Sequence, residues 1–256
     1  MTRRRFYAPP DENRDSIIAL SGDETHHLTH VLRMTPGDQA FVFDGCGREY
    51  RCNFSGVNNN RAQLEVVEML SDVVESPVEI TLAQALPKGE KFDLIIQKAT
   101  ELGVSRIVPL VTRYADVKLD DQQTARRSER WRRISLEAVK QCGRRKLVEI
   151  TATRTLREFL GAVGLASPAR LTLLPFSERG GAAITDALAE MSNPHAVVAM
   201  VGPEGGWSDD ELALLNEAGS KVVSLGPRVL RTETAAIVAI TLIQHAIGDL
   251  STGGTE

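Results

Sequence analysis

The feature that most constrains the fold is a regular alternation of strand-like and helix-like segments after Pro77. Short apolar segments with the length of strands lie at residues 78–86, 105–111, 171–176, 196–201 and 221–225. Helical patterns lie at residues 92–102, 124–142, 182–191, 209–218 and 233–247, and a further helix starts at Thr155. Strand–helix alternation predicts a parallel sheet with helices on both faces. In such sheets, ligands bind beyond the carboxyl ends of the strands.

Residues 1–72 have a different pattern, with short segments of mostly alternating polarity at 17–20, 39–44, 49–56 and 61–69. Asp44-Gly45 and Asn58-Asn59-Asn60 separate some of these segments and have the composition of hairpin turns. We therefore predict a small, mostly β barrel over residues 1–72, followed by a linker over residues 71–77.

One helix interrupts the strands of this first region. Ser21 and Glu24 have the spacing of a capping box, and Pro36-Gly37 ends the pattern. Leu28, Val31 and Leu32 supply the predicted apolar face.

Composition excludes several classes of protein. The 256 residues are 42% hydrophobic and 25% charged, as in ordinary globular proteins, and the longest apolar stretches are too short to cross a membrane. The first residues are basic, but polar residues 11–16 follow where a signal peptide would be apolar, so we expect a cytoplasmic protein. Three scattered cysteines do not make a disulfide framework or a zinc site.

Glycine and proline are concentrated between the segments at 196–201 and 209–218. Gly202-Pro203-Glu204-Gly205-Gly206-Trp207 leads directly to Ser208, which we predict to cap the next helix in a capping box with Glu211. Glycines let a ligand approach the backbone, and backbone N–H groups at a helix start bind polar ligand atoms. A tight turn without a ligand is the alternative. The chain contains neither a P-loop nor a Gly-x-Gly-x-x-Gly pattern after a strand.

A second loop of this kind follows the segment at 221–225. It begins with Gly226-Pro227 and reaches a helix whose predicted cap is Thr232. Arg228 and Arg231 lie at the helix entry, where positive charge is unfavourable for the helix dipole. An anionic partner explains two arginines at this position better than stability does, although a solvated pair remains the alternative.

These two loops carry a resemblance to a known family. Gly202-Pro203-Glu204-Gly205-Gly206-Trp207-Ser208 followed by Leu225-Gly226-Pro227-Arg228-Val229-Leu230-Arg231-Thr232-Glu233-Thr234-Ala235 resembles the RsmE family of 16S ribosomal RNA uridine-N3 methyltransferases, in the SPOUT superfamily. Further matching segments are Arg4-Arg5-Phe6, His26-His27-Leu28, Pro36-Gly37-Asp38, Leu86-Pro87-Lys88-Gly89-Glu90-Lys91, Gln97-Lys98-Ala99-Thr100-Glu101-Leu102-Gly103 and Gln141-Cys142-Gly143-Arg144. The resemblance covers nearly all of residues 3–248.

The resemblance implies a fold, a cofactor and an oligomeric state. A PUA-like RNA-binding β-barrel over residues 1–72 would precede an α/β trefoil-knotted SPOUT methyltransferase domain over residues 77–249, which binds S-adenosylmethionine and forms a homodimer. The cofactor-binding residues it implies are Leu173, Leu174, Pro175, Val201, Gly202, Pro203, Glu204, Gly205, Leu225, Gly226, Arg228, Leu230 and Thr232.

The chemistry implied is transfer of a methyl group to N3 of a uracil in 16S ribosomal RNA of the small subunit. N3 must lose its proton, so groups that stabilise negative charge on the uracil oxygens are needed. Arg231 and Arg228 suit that task, and Glu233 suits orientation of an arginine or transfer of the proton. No metal and no membrane is implied.

Positive charge is concentrated in the middle of the chain. Residues 113–146 contain eleven Lys or Arg and five Asp or Glu, in a chain of net charge −4. Such a cluster suits phosphate binding, although a solvated helix face gives the same pattern. The predicted RNA-binding residues are Arg3, Arg4, Arg5, Arg33, Lys88, Lys91, Arg126, Arg127, Arg130, Arg133 and Arg144.

Other reactive residues receive a structural interpretation. His26, His27 and His30 have helical spacing but no further metal ligand nearby, and Cys142 is expected to be a buried or structural cysteine. Two other functions stay open. One is a SPOUT methyltransferase acting on a ribose 2′-hydroxyl or a transfer RNA, and the other is a non-catalytic RNA-binding assembly factor.

Overall fold

The computed structural model describes residues 3–14, 16–71, 75–115, 121–165, 171–189 and 196–251. The chain divides into two compact units. The first comprises Met1–Glu75 and Val139–Leu147, and the second comprises Ser76–Ala138 and Val148–Glu256. The first unit thus includes a segment from the middle of the chain, and residues 72–74 of the predicted linker lie outside the described residues. No helix in the described ranges is both long and apolar enough to span a bilayer.

The first unit contains a six-stranded mixed sheet. Its strands are β1 (Arg5–Tyr7), β2 (Asn13–Arg14), β3 (Ile17–Ala19), β4 (Gln39–Phe43), β5 (Glu49–Asn58) and β6 (Arg61–Met69), in the order β1-β4-β5-β6-β3-β2. Only β1 and β4 pair in parallel among these strands. Asn59 and Asn60 have φ values of 49° and 60°, as a type I′ hairpin turn requires. The described strand pairings leave the sheet open between β1 and β2, so it is a half-barrel.

A short helix follows β3 and differs in two details from the prediction. Helix α1 (Gly22–His26) continues into a π-helical turn (His27–Val31), and Ser21 caps it by accepting a hydrogen bond from the Glu24 N–H. The Glu24 side chain pairs with Lys140. Leu28 is fully buried, but Val31 is 62% exposed. The prediction for Val31 was wrong because the π turn changes the angular spacing that a regular helix would give.

Buried arginines attach the segment Val139–Leu147 to the rest of the first unit. Glu49 lies between Arg5 and Arg145, with N–O distances of 2.6 Å and 3.1 Å, and all three side chains are buried. Arg5 also donates to the carbonyl oxygens of residues 139, 140 and 144. Arg144 is buried as well and pairs with Glu75 at 2.9 Å. Within the first unit, Arg5 and Arg144 therefore hold the chain together, and the prediction that they bind RNA phosphates was wrong.

The second unit contains an eight-stranded parallel sheet. Its strands are β7 (Glu79–Ala85), β8 (Arg106–Val111), β9 (Glu149–Ile150), β10 (Arg154–Thr155), β11 (Leu171–Phe176), β12 (Ala182–Ala183), β13 (Ala196–Val201) and β14 (Val223–Ser224). The order is β10-β8-β7-β13-β11-β14-β12, with β9 beside β8. The helices are α2 (Lys91–Glu101), α3 (Asp121–Cys142, of which residues 121–138 belong to this unit), α4 (Leu156–Leu165), α5 (Ile184–Ala189), α6 (Asp209–Glu217) and α7 (Thr232–Ile247). This arrangement confirms the predicted parallel sheet.

Apolar side chains cover both faces of this sheet. Ile80, Leu82 and Val197 belong to one cluster that includes the inner faces of α2 and α7. Val108 and Met200 belong to the other, which includes residues of α4 and α6. A sheet buried on both faces accounts for the nearly continuous apolar runs in its strands.

The predicted helix at 182–191 begins later than its pattern suggests. Ala182 and Ala183 form β12 and pair with β14, so α5 starts only at Ile184. A Cβ atom on Gly181 would lie 2.7 Å from the carbonyl oxygen of Val222, so this close pairing requires a glycine. The end of the predicted segment, residues 190–191, lies outside the described residues. The strand predicted at 221–225 is shorter, with only Val223–Ser224 paired.

Candidate functional site

The main candidate site is a cavity of about 310 Å³ beyond the carboxyl ends of β11, β13 and β14. It lies between two loops, which we call the first glycine loop (residues 202–207) and the second glycine loop (residues 226–231). The lining residues are Phe176, Ser177, Glu178, Val201, Gly202, Pro203, Glu204, Gly205, Gly206, Leu225, Gly226, Arg228, Val229, Leu230, Arg231, Thr232 and Ala235. The volume is that of a site for a small organic ligand.

The first glycine loop is held by the helix that follows it. Ser208 and Glu211 form the predicted capping box at the start of α6. In this box Glu211 accepts a hydrogen bond from the Ser208 N–H with its Oε2 atom. Its other carboxylate oxygen, Oε1, accepts a hydrogen bond of 2.8 Å from the Arg113 backbone N–H. Trp207 is buried and its indole N–H donates to the Phe176 carbonyl oxygen at 2.9 Å. These contacts fix the loop against the ends of β8 and β11.

The second glycine loop is joined to the first through Thr232. The Thr232 hydroxyl donates to the Gly202 carbonyl oxygen at 2.7 Å and accepts from the Gln84 side-chain amide at 3.0 Å. The residue that caps α7 is Arg231, whose side chain makes no capping hydrogen bond. The prediction that Thr232 is the helix cap was therefore wrong, because its hydroxyl bonds another loop.

Two glycines show why the cavity exists. Gly226 has φ of 100°, and a Cβ atom built on it meets nothing within 4 Å, so it would point into open space. On Gly202, a Cβ atom would lie 3.3 Å from the backbone of Gly206, within the tight turn of the first glycine loop. Gly202 therefore permits the tight turn, and Gly226 leaves the backbone open to the approach of a ligand.

Most of the predicted cofactor-binding residues come together in this cavity. Those that line it are Val201, Gly202, Pro203, Glu204, Gly205, Leu225, Gly226, Arg228, Leu230 and Thr232. Leu173, Leu174 and Pro175 lie inside β11 and do not line it, and the end of that strand contributes Phe176, Ser177 and Glu178 instead. The rule that ligands sit beyond strand ends could have identified these three residues.

The candidate catalytic residues lie at the entry of α7. Arg228 and Arg231 are exposed and line the cavity. Glu233 follows in the first turn of the helix and is not among the lining residues. One of its carboxylate oxygens is buried, and the described part of the chain provides no hydrogen-bond partner for it.

The remaining predicted RNA-binding residues are distributed over both units. In the second unit Arg126, Arg127, Arg130 and Arg133 are exposed on α3, and Lys88 is exposed on the loop after β7. Arg130 pairs with Asp93 and with Glu90, and Lys91 pairs with Glu204. In the first unit Arg33 is exposed, Arg3 lies over the Phe41 ring, and Arg4 is 3.7 Å from Asp38.

The described histidines and cysteines are not gathered into a metal-binding group. His26 and His30 stack with ring centroids 4.6 Å apart, and within the described ranges no cluster of acidic, His or Cys residues could hold a metal ion. Cys142 is exposed, so of the two predicted alternatives, a buried or a structural cysteine, the structure contradicts the first. Cys52 is buried, and burial raises the pKa of its thiol to about 12.

Comparison with known families assigns a class to each part of the chain. Residues 74–244 match the family model described as an RNA methyltransferase domain, and residues 20–67 match the one described as an RNA methyltransferase PUA domain. The fold and site thus define an RNA methyltransferase with a PUA-like domain, which confirms the PUA-like and α/β methyltransferase parts of the predicted fold class. The chain belongs to the ribosomal RNA small subunit methyltransferase E family, RsmE, as its sequence predicts.

Individual relatives agree along most of their length. The chain is 31% identical to ribosomal RNA small subunit methyltransferase E of Bacillus subtilis, over 89% of this chain and 90% of that protein. It is 36% identical to the Synechocystis protein of the same name, over 93% of this chain and 76% of that protein.

Two similar solved structures contain S-adenosylmethionine. A putative methyltransferase from Legionella pneumophila in complex with this cofactor matches with a TM-score of 0.87 and 35% identity, over 98% of this chain and 100% of that one. The Neisseria gonorrhoeae ribosomal RNA small subunit methyltransferase E bound to the same cofactor matches with a TM-score of 0.85 and 34% identity, over 97% and 99%.

Proposed function

We propose that this protein transfers the methyl group of S-adenosylmethionine to N3 of a uridine in 16S ribosomal RNA of the small subunit. The observation that carries the proposal is the cavity between the two glycine loops, in a chain that belongs to the RsmE family. S-adenosylmethionine would supply an electrophilic methyl group on a positively charged sulfur.

The cavity has the chemistry that such a cofactor requires. Leu225, Leu230 and Val201 give apolar contact for an adenine ring, and the open space at Gly226 leaves room for a ligand against the backbone. Glu178 contributes a carboxylate to the lining, of the sign that complements a sulfonium or ammonium group. Leu173, Leu174 and Pro175 would act indirectly, by fixing the end of β11.

The residues at the entry of α7 would stabilise the reacting uracil. Arg228 and Arg231 present two guanidinium groups at the cavity, where they would neutralise negative charge on the uracil oxygens as N3 loses its proton. The buried Glu233 oxygen is available to orient one of these arginines or to receive that proton. The main contribution to rate would be positioning of N3 in line with the methyl group.

RNA binding and assembly complete the proposal. Arg126, Arg127, Arg130 and Arg133 of α3, with Lys88, Lys91, Arg3, Arg4 and Arg33, would contact phosphates, and the PUA-like unit would help to position the RNA. Ile237 and Val238 of α7 remain half-exposed, which suits a homodimer interface on the second unit. We also propose the trefoil knot and a cytoplasmic location.

One pair of experiments tests this function against its alternatives. Calorimetric titration with S-adenosylmethionine should give one site per chain, and absence of binding would favour an assembly factor. Mass spectrometry of nucleosides from a deletion strain should show loss of 3-methyluridine from 16S ribosomal RNA, and plasmid-borne protein should restore it. Loss of a ribose methylation or of a transfer RNA modification instead would favour another SPOUT enzyme.

A further inference from the structure

A second cavity, of about 400 Å³, lies in the same unit at the carboxyl end of β7. Its lining residues are Leu86, Pro87, Lys88, Gly89, Glu90, Phe92, Asp93, Arg127, Arg130 and Trp131. Phe92 and Trp131 are nearly fully buried and pack with ring centroids 4.6 Å apart. The lining therefore combines aromatic groups with charged side chains.

The two arginines that line this cavity differ in whether a carboxylate compensates their charge. Arg130 is compensated, because Asp93 and Glu90 both pair with its guanidinium group. Arg127 is exposed one turn earlier on α3, and no carboxylate in the described part of the chain pairs with it. A guanidinium group with its donors available is the side chain best suited to bind a phosphate with two hydrogen bonds.

Glu204 connects the second cavity to the first. It belongs to the first glycine loop, but its carboxylate accepts hydrogen bonds from the Lys91 ammonium group at 2.6 Å and from the Lys88 backbone N–H at 3.2 Å. Partial burial alone would raise the pKa of Glu204, but the hydrogen bonds from Lys91 and from backbone N–H groups lower it overall. The carboxylate is therefore charged at neutral pH and holds the two loops together.

We propose that the second cavity binds a phosphodiester group of the RNA substrate, next to the target uridine, through Arg127. We also propose that Glu204 is a positioning residue, because it sets the distance between this phosphate and the methyl donor. Both parts depend on the proposed function. In-line transfer is sensitive to small displacements, so a rigid connection between the phosphate site and the cofactor site affects the rate directly.

The phosphate site is tested with Arg127→Gln and a matched control, Arg132→Gln. Arg132 is exposed on the same helix but lines neither cavity. Binding of a 16S ribosomal RNA substrate is measured against salt concentration. Arg127→Gln should weaken binding and reduce the slope of log K against log salt by about 0.7–0.9, the value for one phosphate contact. The control should change both less, and the affinity for S-adenosylmethionine should stay the same in both variants.

Equal salt slopes in Arg127→Gln and Arg132→Gln would overturn the phosphate site while leaving the proposed function intact. A wild-type protein that does not methylate ribosomal RNA would contradict the proposed function itself. The two failures are therefore distinguishable.

The role of Glu204 is tested with Glu204→Gln, Lys91→Met and the double variant. If the pair acts as one connection, each single change should lower kcat more than it raises KM for RNA, and the double variant should be no slower than the slower single one. Additive losses in the double variant, or an effect on KM alone, would overturn the positioning role. Thermal unfolding of all three variants identifies any general loss of stability.

Discussion

The Thr232 hydroxyl donates a hydrogen bond of 2.7 Å to the carbonyl oxygen of Gly202 and so joins the two loops that enclose the main cavity. Thr232 is buried, and its oxygen also accepts a hydrogen bond from Gln84, whose side chain is completely buried. Each loop thus depends on the other for its position.

We expect Thr232→Val to weaken cofactor binding and to lower the free energy of unfolding by about 1–3 kcal/mol, because a buried carbonyl oxygen loses its partner. Thr232→Ser should restore both. Thr234→Val is the control, since Thr234 is exposed on the same helix. Calorimetry and denaturant unfolding measure the two quantities, and wild-type behaviour of Thr232→Val would show that the loops are held by other contacts.

The Tyr114 side chain leaves too little room for a side chain at Gly205, and the sequence alone does not reveal this contact. A Cβ atom on Gly205 would lie 2.9 Å from the Tyr114 Cβ atom and 3.2 Å from its Cγ atom. We expect Gly205→Ala to displace the first glycine loop and to weaken S-adenosylmethionine binding about tenfold, which corresponds to about 1.4 kcal/mol.

Adding Tyr114→Gly to Gly205→Ala should recover part of this affinity, because the contacting side chain is then absent. Tyr114→Gly alone is the control. If the double variant binds no better than Gly205→Ala, the loss of affinity comes from obstruction of the cavity itself.

Glu49 compensates two buried arginines at once, Arg5 and Arg145. We expect Glu49→Gln to lower the free energy of unfolding by about 3–5 kcal/mol, because two buried guanidinium groups lose the carboxylate that they share. Glu68→Gln is the matched control, since Glu68 pairs with Arg51 on the exposed surface of the same sheet, and it should be close to neutral. Equal effects of the two changes in urea unfolding would contradict this account.

The cysteines should differ in reactivity. Cys46 and Cys142 are exposed, whereas burial raises the pKa of Cys52 to about 12. At about pH 8, a maleimide should label two thiols rapidly and Cys52 only after unfolding. A Cys46→Ser/Cys142→Ser variant should remain unlabelled while folded, and rapid labelling of that variant would show that Cys52 is accessible.

The same pKa predicts a pH effect on stability. The folded state holds the Cys52 proton up to about pH 12, whereas the unfolded thiol loses it near its ordinary pKa of 9.0. The contribution of Cys52 is therefore fully present below about pH 9 and is lost as pH rises toward 12. Comparison with Cys52→Ala in alkaline solution should show a smaller loss in the variant, and parallel curves would contradict the shift.

Local signals predicted much of the fold because their causes lie within a few residues. The Asn59-Asn60 turn and the Ser208–Glu211 capping box follow from backbone and side-chain preferences at short range. The first glycine loop could be placed for the same reason, since a dense run of glycine between a strand and a capped helix has few other uses.

Several of the errors concern residues whose environment is set by distant parts of the chain. Arg5 and Arg144 lie in basic stretches of the sequence, which indicate an exposed surface. The structure instead buries both side chains, where they pair with Glu49 and Glu75. Thr232 resembles a helix cap until Gly202, thirty residues earlier, provides the acceptor for its hydroxyl. A pattern read along the chain does not contain such long-range partners.

The first unit is built from two segments that lie far apart in the sequence, and this has a consequence for folding during synthesis. Arg144 and Arg145 are made about seventy residues after Glu75, yet they pair with carboxylates of that earlier segment. At about 5–20 residues per second, several seconds pass between translation of the two parts, and the ribosome still covers the last residues made. During this interval Glu49 lacks one of its arginines, so the N-terminal unit does not complete its folding when its own continuous segment emerges. The beginning of this protein is finished only when more than half of the chain exists.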